Sequence, residues 1–249
     1  GSEMCIRDRY FYVYNLRQGY PYLYYTLSAI TIIFMIAVPI LTMRSFAEDR
    51  KNKTDQLMLT APVPVAKVVL GKYLAMLAVF TVDIAVFCVT PLILRAFGTI
   101  PMGESYIAIL AFWLYGAASI AVGMFISALT ESQVIAAVLT FVVLFISYMM
   151  QSLTGLISSD GNWLTKILNG LDLYAPFEKF QGGCLDITAI LYYVTVIVLF
   201  NFFTVQAIQK RRWSISKKTF SLSVFSSSFI VVVLALAVAV SYTHLRAHE

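Results

Sequence analysis

The residues best suited to interact with another molecule lie in a polar segment between two strongly apolar stretches. This segment, residues 44–65 and called the polar island below, carries both signs of charge and two prolines. A connection between helices needs only a few residues, whereas this one has about twenty. The pattern favours docking of a partner. The candidate docking residues are Glu48, Asp49, Arg50, Thr54, Asp55, Leu57, Met58, Thr60 and Pro62.

The second half of the polar island has the pattern of a short helix. Thr54 is suited to cap its start, and Pro62 ends it because the residue before a proline is biased away from helix. Leu57, Met58 and Ala61 then share one face. Two interpretations stay open: an interfacial helix that rests on lipid headgroups, and a helix that docks into the groove of a soluble partner.

Asp83 is the clearest carboxylate inside an apolar stretch. A charged side chain at the bilayer centre costs about 2.5–3.5 kcal/mol on insertion scales, so we expect Asp83 to face the bundle interior or a wet cavity. It is either a substrate or proton site, or a protonated or hydrogen-bonded residue that supports packing. Asn201 and Gln206 are weaker cases of the same kind.

Catalytic and cofactor motifs are missing from the sequence. The only histidines, His244 and His248, lie in the last nine residues, and the three cysteines form no CxxC pair. There is no GxSxG, Walker A or GxGxxG sequence. We therefore predict a protein that is not an enzyme, binds no cofactor or metal directly and has no P-loop of its own. The short basic clusters are typical of topology signals and lipid contacts, not of nucleic-acid binding.

Composition places these residues in a membrane protein. The chain is 60% hydrophobic and 12% charged with a mean hydropathy of +0.81, whereas soluble domains carry about 25% charged residues. A bilayer core needs about 20 residues of helix. We predict an all-α polytopic transmembrane helix bundle, with a kink at Pro39. The predicted spans are 24–43, 66–94, 104–128, 132–157, 187–208 and 222–241.

The distribution of lysine and arginine predicts the orientation. Placing the polar island in the cytoplasm puts most of these residues inside, and leaves only Arg17, Arg95, Lys166 and Lys179 outside apart from the terminal segments. The positive-inside rule favours this arrangement. The inside residues are Arg44, Arg50, Lys51, Lys53, Lys67, Lys72, Lys210, Arg211, Arg212, Lys217 and Lys218.

A second cytoplasmic turn is predicted at Thr130, Glu131 and Gln133, where the Thr-Glu-Ser-Gln order fits a capping box with Thr130 as N-cap. The two flanking spans should form an antiparallel hairpin. The first of them carries small residues at every fourth position, which lets another helix approach closely. This stripe serves either a subunit interface or packing within the bundle. Its members are Ser119, Gly123 and Ser127.

The segment 158–186 on the other side is predicted to contain two short helical elements. The first begins at Asn162, exposes one apolar face and should lie in the outer interface with Trp163 at headgroup depth. The second covers Pro176–Gln181 and stops before two glycines. Asp186 is then placed to cap the fifth span.

Both ends of the chain look foreign to it. Residues 1–9 and 241–249 resemble translated sequencing-adapter read-through and are excluded from the fold. We accordingly divide the chain into these two segments, a membrane domain at 10–213 and a further segment with one span at 214–240.

Several short motifs together resemble the permease of type-2 ABC transporters, most closely the gliding-motility-associated branch. They are Arg44-x-Phe-Ala-Glu-Asp, Thr54-x-x-Leu-x-Leu-Thr-x-Pro62, Leu70-Gly-Lys72, Gly123-x-x-x-Ser127-x-Leu-Thr-Glu131-x-Gln133, Pro176-Phe-x-x-Phe-x-x-Gly183-x-x-Asp186 and Arg211-Arg-Trp213. Their order and spacing carry the resemblance, which covers about residues 30–213. Lys53 and Asp55-Gln56 depart from the family pattern, which leaves the docking geometry open.

The resemblance implies a six-helix permease whose first helix precedes the first span of this chain. It also implies a separate ABC ATP-binding subunit that holds the ATP and docks on the polar island, and a second permease copy or homologue. An exporter in the bacterial cytoplasmic membrane is expected, and residues 214–240 resemble the start of a fused extracytoplasmic auxiliary component. Two alternatives remain, namely an ion-coupled secondary transporter that uses Asp83 and a non-transporting membrane scaffold.

Overall fold

A computed structural model describes residues 23–52, 64–95, 102–157, 172–180 and 187–212 of the chain. These segments are helices and short turns, with no strand in any of them, so the all-α prediction is confirmed. The helices are α1 (Leu23–Thr42), α2 (Ala47–Lys51), α3 (Val65–Phe87), α4 (Thr90–Arg95), α5 (Met102–Leu129), α6 (Gln133–Ile157), α7 (Ala175–Lys179) and α8 (Ile187–Arg212).

Five of these helices, α1, α3, α5, α6 and α8, are long and apolar enough to cross a membrane. A helix satisfies its backbone hydrogen bonds internally, which is what hydrocarbon demands of a spanning segment. The chain is therefore a multi-pass membrane protein, and the first five predicted spans are confirmed, the second of them as two consecutive helices. The sixth, 222–241, lies outside the described residues. The kink at Pro39 stays a prediction, since α1 continues past it to Thr42.

The second predicted span, 66–94, is two helices. α3 ends at Phe87, a turn follows at Cys88 and Val89, and α4 begins at Thr90. Pro91 explains the break, because its ring would clash with the carbonyl group of Phe87 in a continuous helix and it has no N–H to donate. The Thr90 hydroxyl donates to that carbonyl oxygen at 2.7 Å instead.

α5 is the centre of the bundle and contacts α1, α3, α6 and α8. In its most apolar stretch 83% of the residues are buried, against 39% or fewer in the other four spans. Small residues make this possible. A Cβ atom at Gly123 would lie 2.5 Å from the Thr42 hydroxyl oxygen, and one at Gly116 would overlap the Phe80 ring. The small-residue stripe therefore packs inside this chain against α1, and the subunit-interface interpretation is wrong.

Three residues, 130–132, join α5 to α6, which confirms the predicted hairpin. The predicted capping box is wrong. α6 begins at Gln133, and the Thr130 hydroxyl donates back to the Ile126 carbonyl oxygen at 3.2 Å, on the preceding helix. Thr130 lies too far ahead of α6 to cap it, because an N-cap residue directly precedes the first helical position.

At the end of the bundle opposite the polar island, residues 172–180 form a segment that we call the buried insert. It contains α7, which starts one residue before the predicted element and contacts α5 and α8. The Asp172 carboxylate accepts from the Tyr174 and Ala175 N–H groups at 2.9 and 3.1 Å and so satisfies two backbone donors at the start of α7, although it is not the N-cap residue. The predicted interfacial helix from Asn162 and the cap at Asp186 lie outside the described residues.

Candidate functional site

The first part of the polar island, with Met43 before it, forms a turn after α1 and then α2, and these residues, 43–51, are called the α2 corner below. Phe46 and Ala47 are buried against the bundle and hold the corner in place. The acidic residues Glu48 and Asp49 lie in the first turn of α2, while Arg50 and Lys51 lie in its last turn. Each charge thus opposes the partial charge of the nearer helix end, which favours helix in so short a segment.

Ser127 of α5 supplies the cap that α2 lacks in its own sequence. Phe46, at the N-cap position, makes no side-chain capping bond. The Ser127 hydroxyl oxygen instead accepts from the backbone N–H groups of Phe46 and Ala47, both at 3.2 Å, and its hydroxyl donates to the Met43 carbonyl oxygen at 3.3 Å. The first N–H groups of a helix have no partner within it. The α2 corner is therefore fastened to the central helix.

Lys72 of α3 fastens the same corner from another side. Its ammonium group donates to the Ser45 carbonyl oxygen and to the Asp49 carboxylate, and lies 4.6 Å from the centre of the Phe46 ring. The Lys72 and Asp49 side chains each retain 30% exposure. A cation over an aromatic face adds attraction to the ion pair. We call this set, Lys72 with Ser45, Phe46 and Asp49, the Lys72 clamp.

The three charged candidates in α2 have different surroundings. Asp49 is bound by Lys72, whereas Glu48 is half-buried. The two terminal nitrogens of Arg50 are buried without a hydrogen-bond partner in the described part of the chain, and so is the Ser45 hydroxyl oxygen. Unpaired buried polar atoms are costly. The α2 corner thus holds several polar atoms that its own contacts leave unsatisfied.

The structure brings the second predicted turn close to the α2 corner, because α2 contacts both α5 and α6. Glu131 is exposed in that turn, while Thr130 and Gln133 are half-buried. The remaining candidates of the polar island lie outside the described residues. These are Thr54, Asp55, Leu57, Met58, Thr60 and Pro62.

Asp83 does not face the bundle interior. It is exposed on α3, while its neighbours Phe80 and Ile84 are buried in the core. The expectation that Asp83 faces the interior of the bundle is therefore wrong for the single chain, whereas the alternative of a wet cavity stays a prediction. The described residues contain no group of three or more His, Cys, Asp or Glu side chains that could hold a metal ion.

Sequence reasoning missed the roles of Ser127, Lys72 and Phe46 in this site. Ser127 was assigned only to the small-residue stripe, and Lys72 only to the topology of its span. A signal for Lys72 was present, since a cation about two turns inside an apolar helix needs an acceptor and Asp49 precedes that helix closely in sequence. Ser127 gave no comparable signal, because its acceptor bonds join residues about 80 positions apart.

Four apolar spans around a fifth, buried one, with a charged corner fastened to the bundle, define a multi-pass membrane protein that presents a polar element at one end. The chain belongs to the ABC-2 transporter family, because the model of that family, described as ABC-2 family transporter protein, matches residues 9–182. The match includes the whole polar island. Searches of curated proteins and of solved structures found no match.

Membership of the family confirms the resemblance to type-2 ABC permeases. The chain is a membrane permease subunit of an ABC transporter, a component that is not itself an enzyme. The family implies an ABC ATP-binding partner and usually a dimeric permease.

Proposed function

We propose that this chain is the permease subunit of an ATP-driven exporter in the bacterial cytoplasmic membrane, and that the polar island couples it to a separate ATP-binding subunit. The observation that carries the proposal is the α2 corner, a charged helix fastened directly to the central helix α5 and to α3. A partner that displaces α2 acts on the core of the bundle through these contacts. The excess of lysine and arginine on this side supports a cytoplasmic location.

The geometry divides the island's charges between internal contacts and a partner. Asp49 is bound within the chain by Lys72, so it is a poor candidate for direct docking. Glu48 and the exposed Lys51 remain for the partner, together with the apolar face proposed at Leu57 and Met58. Charged groups at the rim and apolar groups at the centre are the usual division in a protein interface.

The docking proposal is tested by pull-down of the proposed P-loop ATPase, expressed together with the permease. Glu48→Lys and Leu57→Asp should each reduce the amount of ATPase recovered with the permease in detergent. The matched control is Glu104→Lys. Glu104 is also a half-buried glutamate in the first turn of a helix, but it lies at the opposite end of the bundle. Recovery unchanged by Glu48→Lys and Leu57→Asp contradicts the proposal.

The alternative of an ion-coupled secondary transporter depends on Asp83. Variants of this residue therefore distinguish that alternative from an ATP-driven permease. Because Asp83 is exposed on the spanning helix α3, Asp83→Leu removes a carboxylate from the outer surface of the single chain and should favour insertion of that helix by up to about 2.5–3.5 kcal/mol. We expect the variant to insert at least as well as the wild type and to keep its ATPase partner. Proton-gradient-driven movement of a dye that disappears in Asp83→Asn would favour the alternative.

The finer assignments follow the family and the sequence. We propose a pair of permease chains, identical or homologous, as the functional unit, and place this chain in the gliding-motility-associated branch. Residues 214–240 begin an auxiliary component in this proposal. Cross-linking of two differently tagged copies in native membranes tests the pair, and recovery of each tag alone would contradict a homodimer.

A further inference from the structure

The Lys72 clamp contacts three different kinds of group within five consecutive residues of the α2 corner. The ammonium group meets the backbone carbonyl oxygen of Ser45, the ring of Phe46 and the carboxylate of Asp49. A lysine ammonium has three N–H donors and no acceptor. Carbonyl oxygen, carboxylate and ring face together supply three acceptors for these donors. Lys72 is thus occupied within the chain and is not available as a docking charge.

Because Lys72 lies on α3, the Lys72 clamp links α2 directly to a spanning helix. Residues 52–64 connect α2 to α3 along the chain. The clamp joins the two helices directly, in parallel with that connection. The next residue, Tyr73, is buried and donates to the Ala117 carbonyl oxygen of α5 at 3.2 Å. The contact therefore continues from the clamp to the central helix.

The second fastening of the α2 corner differs from the first in both chemistry and direction. Ser127 binds the start of α2 to α5 with neutral hydrogen bonds, whereas Lys72 binds the Ser45–Asp49 face to α3 with a charge. Ser45 and Asp49 are four residues apart and lie on the same side of the corner. Rotation or tilting of α2 must break the clamp unless α3 moves with it.

We propose that Lys72 is the positioning residue that makes α3 follow α2, so that a displacement imposed at the polar island is delivered to the membrane-spanning bundle. The inference rests on the proposed function, since it assumes that an ATP-binding subunit moves α2. It adds that docking and transmission belong to different residues. Glu48 and the apolar face of the island hold the partner, while Lys72 and Asp49 pass the movement on.

The clamp itself is tested in the permease alone, without any partner. In Lys72→Met, hydrogen exchange at the backbone amides of residues 47–52 should be about tenfold faster than in the wild type. The matched control is Lys67→Met, because Lys67 is an exposed lysine on the same helix. Exchange that is equal in Lys72→Met and the wild type overturns the clamp, whether or not an ATPase binds this chain.

Transmission is tested in the complex with the P-loop ATPase, reconstituted in lipid nanodiscs. In the wild type, trapping with ATP and vanadate should change the exchange of amides 65–73 at the start of α3. In Lys72→Met this nucleotide-dependent change should fall about fivefold or more, the lower range of measured coupling, while the ATPase remains bound. Lys72→Arg should retain most of the change, and Lys67→Met should retain all of it.

The double variant Asp49→Asn/Lys72→Met gives the sharpest comparison. If the pair acts as a unit, the double variant should lose no more of the nucleotide-dependent change than either single variant. Additive losses overturn the proposal, as does a full change at α3 in Lys72→Met. Loss of ATPase binding in Lys72→Met also overturns it, because Lys72 would then be a docking residue. A wild-type permease that binds no ATPase contradicts the proposed function instead.

Discussion

The two five-residue helices in the described part of the chain are α2 at the island end and α7 in the buried insert, and they lie in opposite surroundings. Both are too short to stand alone and need outside groups to satisfy their backbone. α2 is capped by Ser127, and the chain leading into α7 is held by Ser147, whose hydroxyl oxygen accepts from the Leu173 N–H at 2.9 Å. A serine on a neighbouring spanning helix serves each of them.

The surroundings of the two helices differ in polarity and burial. The buried insert is surrounded by aromatic rings. The centre of the Phe177 ring lies 5.6–6.2 Å from the ring centres of Phe112, Tyr115 and Tyr174, which is within the usual range for aromatic pairs. Tyr193 also donates to the Leu173 carbonyl oxygen at 2.8 Å. The α2 corner buries only Phe46 and Ala47 and leaves polar atoms unsatisfied.

This difference indicates that two helices of the same length, α2 and α7, differ in mobility because they differ in burial and in charge. The buried insert has its contacts with the bundle when it stays in place, and it would lose these aromatic contacts and hydrogen bonds if it moved into water. The α2 corner is held by a few polar contacts that a partner's surface can replace. We therefore expect α7 to move with the bundle as one body, and α2 to be the element that responds to binding.

The largest effect is expected in the buried insert. Phe177→Ala removes a ring that is fully buried and should lower the free energy of unfolding by about 3–5 kcal/mol. Thermal unfolding in detergent measures it. The control is Phe145→Ala, which truncates a phenylalanine that is 45% exposed on α6. Similar losses in both variants would contradict the assignment of the insert as part of the core.

The next largest loss of stability is expected where α1 and α5 pack closely at the island end. Gly123→Ala places a methyl group against Thr42 at the end of α1 and should cost about 1–3 kcal/mol, measured by the same unfolding assay. Thr42→Ala removes the hydroxyl and methyl groups that the new Cβ meets first, so the double variant should recover part of the loss. No recovery would mean that α1 and α5 do not meet at this position.

The two serines allow a direct comparison of the two ends. Ser147→Ala leaves the buried Leu173 N–H without this acceptor and should cost about 1–3 kcal/mol. Ser127→Ala should cost about 0.5–2 kcal/mol, as for loss of a helix cap. Thermal unfolding gives both values. A greater loss in Ser127→Ala would reverse the ranking of the two ends.

The smallest effect on stability is expected at the proposed docking surface. Glu48→Lys should change the free energy of unfolding by no more than about 0.5 kcal/mol, since Glu48 is half-buried and is not one of the clamp residues. Its effect should appear in ATPase recovery alone. An unfolding temperature well below that of the wild type would contradict this prediction and show that Glu48 supports the fold.

The spanning helices were predictable because hydrocarbon imposes length and apolarity on them, and both are visible in the sequence. The break after Phe87 was less evident, although Pro91 marks it. The burial of the insert could not be read from the sequence, since it depends on Ser147 and Tyr193 on other helices. The direction of Asp83 was missed for a related reason. α3 is apolar around its whole circumference, so its pattern does not show which side meets the bundle.

The three-residue turn between α5 and α6 limits the movements available to this permease. Four peptide units from Leu129 to Gln133 reach at most about 14 Å when fully extended, whereas the fourteen from Lys51 to Val65 reach about 50 Å. The island ends of α5 and α6 therefore remain neighbours in every state of a transport cycle. Any wide opening at that end has to separate α1, α3 or α8 from this hairpin, which keeps the island ends of its two helices together.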